Sequence, residues 1–187
     1  MKTLINKAAF LDRDGVINYD RNYVHKWDDF ELITGCEEAL KQLQEAGYLL
    51  LVITNQSGIA RGYYTLDDYQ VLTEQMINYF KIKGIVINKV YYCPHLKEAN
   101  VKEYNIDCNC RKPKDGMIIK AVNEFNINLE ESLLIGDKKI DIQAGKSAGV
   151  GSLYLLGENH SSNAGKDADG YFSGIKECVD YHLSDRM

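Results

Sequence analysis

The chain has 187 residues, 45% of them hydrophobic and 26% charged, which suits one globular domain large enough to bury a real core. Its formal charge of −5, with no dense Lys/Arg block, argues against a general nucleic-acid binder. No apolar run approaches the roughly 20 residues of a membrane span, and no secretory signal is visible at the start, so a cytoplasmic protein with five reduced cysteines is expected.

Residues 8–11 read as an apolar strand that runs into Asp12-Arg13-Asp14-Gly15. Side chains two apart on a strand share a face, so Asp12 and Asp14 reach one spot, and Gly15 lets the backbone turn sharply away. Two carboxylates that close repel unless a cation lies between them or they take different tasks. An anionic nucleophile beside a proton donor, with Mg2+ nearby, suits phosphoryl transfer through an aspartyl-phosphate. The plain alternative is an Asp-rich surface turn.

A helix follows Gly35, with Ala39, Leu40, Leu43 and Ala46 on one stripe and Gly47 as its stop. Residues 48–53 form a continuous apolar run, the pattern of a strand covered on both faces. That run ends in Thr54-Asn55-Gln56-Ser57-Gly58-Ile59-Ala60-Arg61-Gly62, read as a loop whose hydroxyl, amide and backbone donors can cradle a phosphate. Arg61 is a potential second anion contact, although the loop is also ordinary turn chemistry. Thr65, with Asp68 three residues on, is expected to cap a helix carrying Leu66, Tyr69, Leu72, Met76 and Phe80 inward and ending at Gly84. Residues 85–92 read as a third strand.

Cys93-Pro94-His95 and Cys108-Asn109-Cys110 bracket a polar loop. Three thiolates and an imidazole make a closed tetrahedral Zn2+ site, with no open position for a substrate, so its role is structural. A disulfide is the rival, weakened by a reducing compartment. Cys36 and Cys178 lie on apolar helix faces and read as core; His160 and His182 read as structural or solvent-facing. Arg111 and Lys112 then offer two adjacent cations, one able to clamp two oxygens and one a point charge.

Residues 116–125 are expected to be helical, with Met117, Ile118, Ala121, Val122 and Phe125 inward. Residues 132–135 form a short buried strand ending at Gly136-Asp137, where Asp137 can join Asp12 on a hard cation such as Mg2+. Asp141, one helical turn on, has three readings: holding Lys138, holding a metal-bound water, or favouring the helix N-terminus. A helix over 140–148, a strand over 150–156, a loop over 157–169, a short strand over 170–173 and a helix over 175–183 complete the chain.

Strands that alternate with helices imply parallel βαβ units: an α/β, Rossmann-like parallel sheet with helices on both faces, in a single domain over residues 1–187. Ligands of such sheets lie outside the carboxyl ends of the strands, and Asp12, Thr54 and Asp137 all fall at that edge.

With these residues in place, the stretch over 8–156 resembles the haloacid dehalogenase (HAD) superfamily of phosphatases, through Asp12-x-Asp14, Thr54, Lys112 and Gly136-Asp137 in that order. Within it the chain most resembles the bacterial heptose bisphosphate phosphatases, through residues 12–18, 23–25, 54–62 and 111–113 and the Cys93/His95/Cys108/Cys110 set. The resemblance implies a HAD-like fold without a large cap domain, and a zinc-stabilised loop at about 93–110. It implies Asp12 as nucleophile and Asp14 as the acid that protonates the leaving sugar oxygen. Thr54 and Lys112 would stabilise the phosphoryl group. Mg2+ would be held by Asp12, the Asp14 main-chain carbonyl and Asp137. Asp20, Arg21, Asn22, Tyr23, Asn55, Gln56, Ser57, Arg111 and Lys138 would contact the rest of a small phosphorylated sugar, and a monomer is implied. Val16 departs from the threonine common in such proteins, with little expected consequence. The nearest rival is a histidinol-phosphate phosphatase, which shares the fold and a similar zinc loop. A polynucleotide 3'-phosphatase is disfavoured by the acidic balance, and a non-catalytic zinc-stabilised binding module by the retained aspartates.

Overall fold

A computed structural model describes residues 5–157 and 167–184. Six strands form one parallel sheet in the order β3-β2-β1-β4-β5-β6. They are β1 (Lys7–Leu11), β2 (Tyr48–Asn55), β3 (Ile87–Cys93), β4 (Leu133–Gly136), β5 (Ser152–Leu156) and β6 (Gly170–Phe172). The helices are α1 (Cys36–Glu45), α2 (Ser57–Arg61), α3 (Leu66–Ile82), α4 (Gly116–Phe125), α5 (Lys139–Ala148) and α6 (Ile175–Ser184).

The alternation of β1 divides the core. Ala9 and Leu11 face a cluster built with Leu40 and Leu43 of α1, Leu72, Met76 and Phe80 of α3, and Cys178 and Val179 of α6. Ala8 and Phe10 face the opposite cluster, with Met117, Ile118 and Ala121 of α4 and Ile142 and Ala144 of α5. Cys36 and Cys178 are thus buried core residues. Both sheet faces are covered, as the continuous apolar runs of β1, β2 and β4 require. After β1 the chain moves outward through β2 and β3, then returns to place β4 on the other flank of β1. The strand order therefore reverses between β1 and β4, and a crevice opens at that switch point beyond their carboxyl ends.

Thr65 caps α3 as expected: its hydroxyl accepts from Asp68 N at 3.1 Å, and the Asp68 carboxylate accepts from Thr65 N at 2.8 Å. Thr65→Ala leaves an orphan N–H in the first turn and is expected to lower the unfolding free energy by about 1 kcal/mol. Urea denaturation reads this directly; an unchanged midpoint would mean that packing alone holds the end of α3.

Several boundaries differ from expectation. Residues 57–61, read as loop, form α2, because Ile59 and Ala60 bury completely enough to outweigh the helix cost of Gly58. β3 starts at Ile87, β4 at Leu133 and β5 at Ser152, each later than the apolar pattern suggests, and α5 starts one residue earlier. Val122 and Phe125 are only half-buried. His182 is structural: its Nε2 and Nδ1 each lie 2.8 Å from a tyrosine hydroxyl, those of Tyr48 and Tyr154. His160 and positions 158–166 of the expected loop lie outside the described residues. No described helix is long and apolar enough to cross a membrane.

Candidate active site

Asp12 follows the last residue of β1 and is tied back by its N–H to Ile135 O of β4 at 3.0 Å. Gly15 then turns the chain at φ +89°, and a Cβ there would lie 2.4 Å from the Asp137 carboxyl. Glycine is required at this position twice over, for the backbone and for the approach of Asp137. Carboxylate oxygens of Asp12, Asp137 and Asp141 lie within 4.8 Å of one another.

Lys112 is the cation among these acids. Its Nζ is ion-paired with Asp12 Oδ1 at 3.0 Å and Asp141 Oδ1 at 2.6 Å, and donates to Ile53 O at 2.8 Å. Burial disfavours its charge, but Asp12 and Asp141 more than compensate, so Lys112 is held above the ordinary lysine range. The Asp141 carboxylate also accepts from Lys138 N at 2.9 Å, at the start of α5. Asp141 therefore does two things: it holds Lys112, a partner its spacing did not suggest, and it caps α5.

One lysine is not enough for this many carboxylates. Burial, reinforced by Asp141, Asp137 and Asp14 and opposed by Lys112, pushes Asp12 up to about 7. Burial and Asp141, against the pull of Lys138, push Asp137 up to about 6. Asp137 Oδ1 is buried with no hydrogen-bond partner. An all-oxygen donor set with an orphaned carboxylate oxygen suits a hard divalent ion such as Mg2+.

Asp14 sits in different surroundings. Arg13 Nη2 lies 2.9 Å from Asp14 Oδ2 and also donates to Val24 O at 2.7 Å. Asn18 Nδ2 donates to Oδ1 at 3.0 Å and Gln56 Nε2 to Oδ2 at 3.2 Å. Three donors thus fix the plane of this carboxyl group. Two nearby carboxyl groups, one packed against a lysine and one held by neutral amides and an arginine, are equipped for separate tasks.

Asp12 and Asp14 open onto a cleft of about 310 Å³ lined also by Asp20, Asn22, Tyr23, Thr54, Asn55, Gln56, Ser57, Tyr64, Arg111, Lys112, Lys138 and Ile140. Lys138 Nζ bridges Asp20 at 2.9 Å and Asp137 at 3.3 Å. Two of the residues expected near the substrate do not line this cleft. Arg21 turns outward onto Glu31 and is exposed, because Asn22 and Tyr23 reverse the chain at φ +61° and +60°. Arg61 does not line the cleft, and Arg111 is the arginine that does. Arg13, Asn18 and Tyr64 were not singled out from the sequence. Only Arg13 left a signal there, since an arginine inside an apolar strand end must find a carboxylate.

The second cluster lies behind the cleft. Sγ of Cys93, Cys108 and Cys110 and Nδ1 of His95 approach at 3.1–3.9 Å, and all four ligand atoms lie within 4.8 Å. The cysteines are free thiols, with Sγ–Sγ separations of 3.4 and 3.1 Å far beyond the ~2.05 Å of a disulfide bond. From this loop Arg111 Nη1 donates to His95 O at 3.2 Å, and Lys112 and Asn55 exchange two hydrogen bonds of 3.1 Å. The cluster thus braces the segment that delivers both cations to the cleft.

Comparison with known proteins is consistent along the chain. A family model described as "HAD-hyrolase-like" matches residues 109–176. The D-glycero-alpha-D-manno-heptose-1,7-bisphosphate 7-phosphatase of Photorhabdus laumondii is 46% identical over 157 residues, covering 84% of this chain and 86% of its own length. The D-glycero-beta-D-manno-heptose-1,7-bisphosphate 7-phosphatase of Haemophilus ducreyi is 45% identical over 178 residues, covering 94% and 97%. The crystal structure of D,D-heptose 1,7-bisphosphate phosphatase from B. bronchiseptica, complexed with magnesium and phosphate, superposes with a TM-score of 0.82 at 25% identity, covering 96% of this chain and 99% of that one.

Proposed function

The chain belongs to the HAD-superfamily phosphatases, in the family of D-glycero-D-manno-heptose-1,7-bisphosphate 7-phosphatases, and from that premise we propose how its own residues carry out the reaction. It is a Mg-dependent phosphoric monoester hydrolase that acts on heptose 1,7-bisphosphate, in the synthesis of activated heptose for lipopolysaccharide or related glycans, through an aspartyl-phosphate. The observation that carries the reading is the meeting of Asp12 with Asp137 and with Lys112, beside a cleft that Asp12, Asp14, Arg111, Lys112 and Lys138 line.

In this reading a carboxylate oxygen of Asp12 attacks the C7 phosphorus. The bond from phosphorus to the sugar oxygen breaks, and Asp14 gives that oxygen its proton. Asp14, now a carboxylate, takes a proton from water as the water attacks the aspartyl-phosphate. The acyl-phosphate bond breaks at phosphorus, releasing inorganic phosphate and restoring Asp12. Thr54 and Lys112 lie where phosphoryl oxygens gather charge in both steps. Asp12, the Asp14 carbonyl and Asp137 would hold Mg2+, which would supply positive charge against the phosphate. Arg111 and Lys138 suit the second phosphate of the sugar, with Asp20, Asn22, Tyr23, Asn55, Gln56 and Ser57 around its hydroxyls. A cleft of about 310 Å³ on a chain of net charge −5 supports a small anionic sugar rather than a nucleic acid as partner, and the enzyme is read as a monomer.

Relatives named for the α and the β anomer are 46% and 45% identical to this chain, so the substrate test compares three compounds side by side: the α and β heptose 1,7-bisphosphates and histidinol phosphate. Phosphate is expected from C7 of at least one heptose anomer, at a kcat/KM well above that for histidinol phosphate. The reverse preference would overturn the substrate assignment.

The thiol and imidazole cluster is proposed to hold one structural Zn2+, supported by the mutual distances of its four ligand atoms and by their number, which suits a four-coordinate structural site. Protein purified without chelator is expected to carry one zinc per chain by elemental analysis. Cys108→Ser is expected to lose that zinc, lower the melting temperature and reduce turnover indirectly, by loosening Arg111 and Lys112. A metal-free wild type, or a Cys108→Ser protein unchanged in stability and turnover, would refute the zinc site.

A further inference from the structure

Gln56 carries a constraint that the reaction scheme leaves unused. Its Nε2 donates both to Asp14 Oδ2 at 3.2 Å and to Thr54 Oγ1 at 2.8 Å. Its Oε1 accepts from the hydroxyl of Tyr64 at 2.5 Å. A primary amide can rotate by half a turn with little change in shape, exchanging its donor and acceptor ends. Rotated, Gln56 would aim its carbonyl at the Asp14 carboxylate. It would also take from Thr54 the donor that lets the Thr54 proton point elsewhere. The Asp14 carboxylate, which only accepts, favours the correct sense, and the hydroxyl of Tyr64 reinforces it by donating to the buried end of the amide left as acceptor.

The fold holds Tyr64 for this contact. It sits between α2 and the Thr65 cap of α3, and only 6% of it is exposed. A Cβ on Gly58 would lie 2.1 Å from its ring, so α2 can approach only because that position is glycine. On another side the His25 ring stacks on it, with centroids 5.0 Å apart and planes 6° from parallel. Gln56 and Thr54 are themselves 2% and 1% exposed, which leaves few competing partners for the amide.

We infer that Tyr64 is a positioning residue: through Gln56 it aligns the proton-transferring carboxyl group of Asp14 and frees the Thr54 hydroxyl to donate toward the phosphoryl group. The inference rests on the proposed role of Asp14 as general acid and deepens it.

General acid catalysis matters most when the leaving group is a poor one. Tyr64→Phe keeps the ring and removes only the hydroxyl. On heptose 1,7-bisphosphate its kcat is expected to fall about 10-fold or more, with KM within about twofold. On p-nitrophenyl phosphate, whose leaving group departs without a proton, the loss is expected to be several times smaller. Across substituted phenyl phosphates the loss should grow as the leaving phenol becomes less acidic. A second variant, Gln56→Ala, should show the same leaving-group trend, and the double variant should lose no more than Gln56→Ala alone. A loss equal for every leaving group, no loss at all, or fully additive losses would overturn the inference. The phenyl phosphate series needs no heptose. Failure of the wild-type enzyme on heptose bisphosphate would therefore strike the substrate assignment alone, and the series would still decide the role of Tyr64.

Discussion

Asp12→Asn is expected to reduce turnover by about 10⁴-fold or more while the protein stays folded. An amide is isosteric with the carboxylate but does not form the acyl-phosphate. The buried surroundings of Asp12 explain why the fold should survive. Lys112 keeps Asp141 at 2.6 Å and Ile53 O at 2.8 Å, so removing one carboxylate does not strand the cation. The variant also relieves one of the carboxylates crowded at the floor of the cleft. Steady-state phosphate release and thermal unfolding check the two halves separately. A rate near that of the wild type would assign the nucleophile elsewhere.

Lys112→Met should act on stability as well as activity. It removes the cation between Asp12 and Asp141, whose side chains are 10% and 1% exposed, and leaves both carboxyl groups buried without their charge partner. Breaking a buried ion pair by deleting one partner typically costs about 3–5 kcal/mol. A loss of that order is expected from denaturant unfolding without added magnesium, together with loss of turnover. Adding Asp141→Asn to the same chain removes one stranded charge, so much of the stability should return while turnover should not. A Lys112→Met protein as stable as the wild type would show that the lysine does not compensate these acids.

The sequence showed the sheet and the floor of the site clearly, for definite reasons. Continuous apolar runs at β1, β2 and β4 mark strands buried on both faces, and each ends where a chemical residue begins: Asp12, Thr54 and Asp137. In a parallel sheet that position alone fixes which edge they share. The zinc-type ligand set was visible because its four donors come in two tight pairs. Contacts that depend on how loops turn were not visible. The chain reversal at Asn22 and Tyr23 swings Arg21 outward while Asp20 and Tyr23 stay in the cleft, and adjacent residues in a sequence give no warning of that. The pairing of Asp141 with Lys112 joins α5 to the segment that follows Cys110, and no local pattern encodes it. The role of Tyr64 depends on the approach of α2 through Gly58, in a helix too short and glycine-bearing to stand out from a loop.

The covalent role of Asp12 is the step through which every other assignment passes. It can be read by rapid acid quench during turnover of the sugar bisphosphate, followed by mass spectrometry of the digested enzyme. One phosphoryl group is expected, on the peptide spanning β1 and confined to Asp12, and lost in the Asp12→Asn protein. A phosphoryl group on any other side chain would contradict the assignment, as would an unmodified Asp12 in enzyme quenched while product forms in a burst.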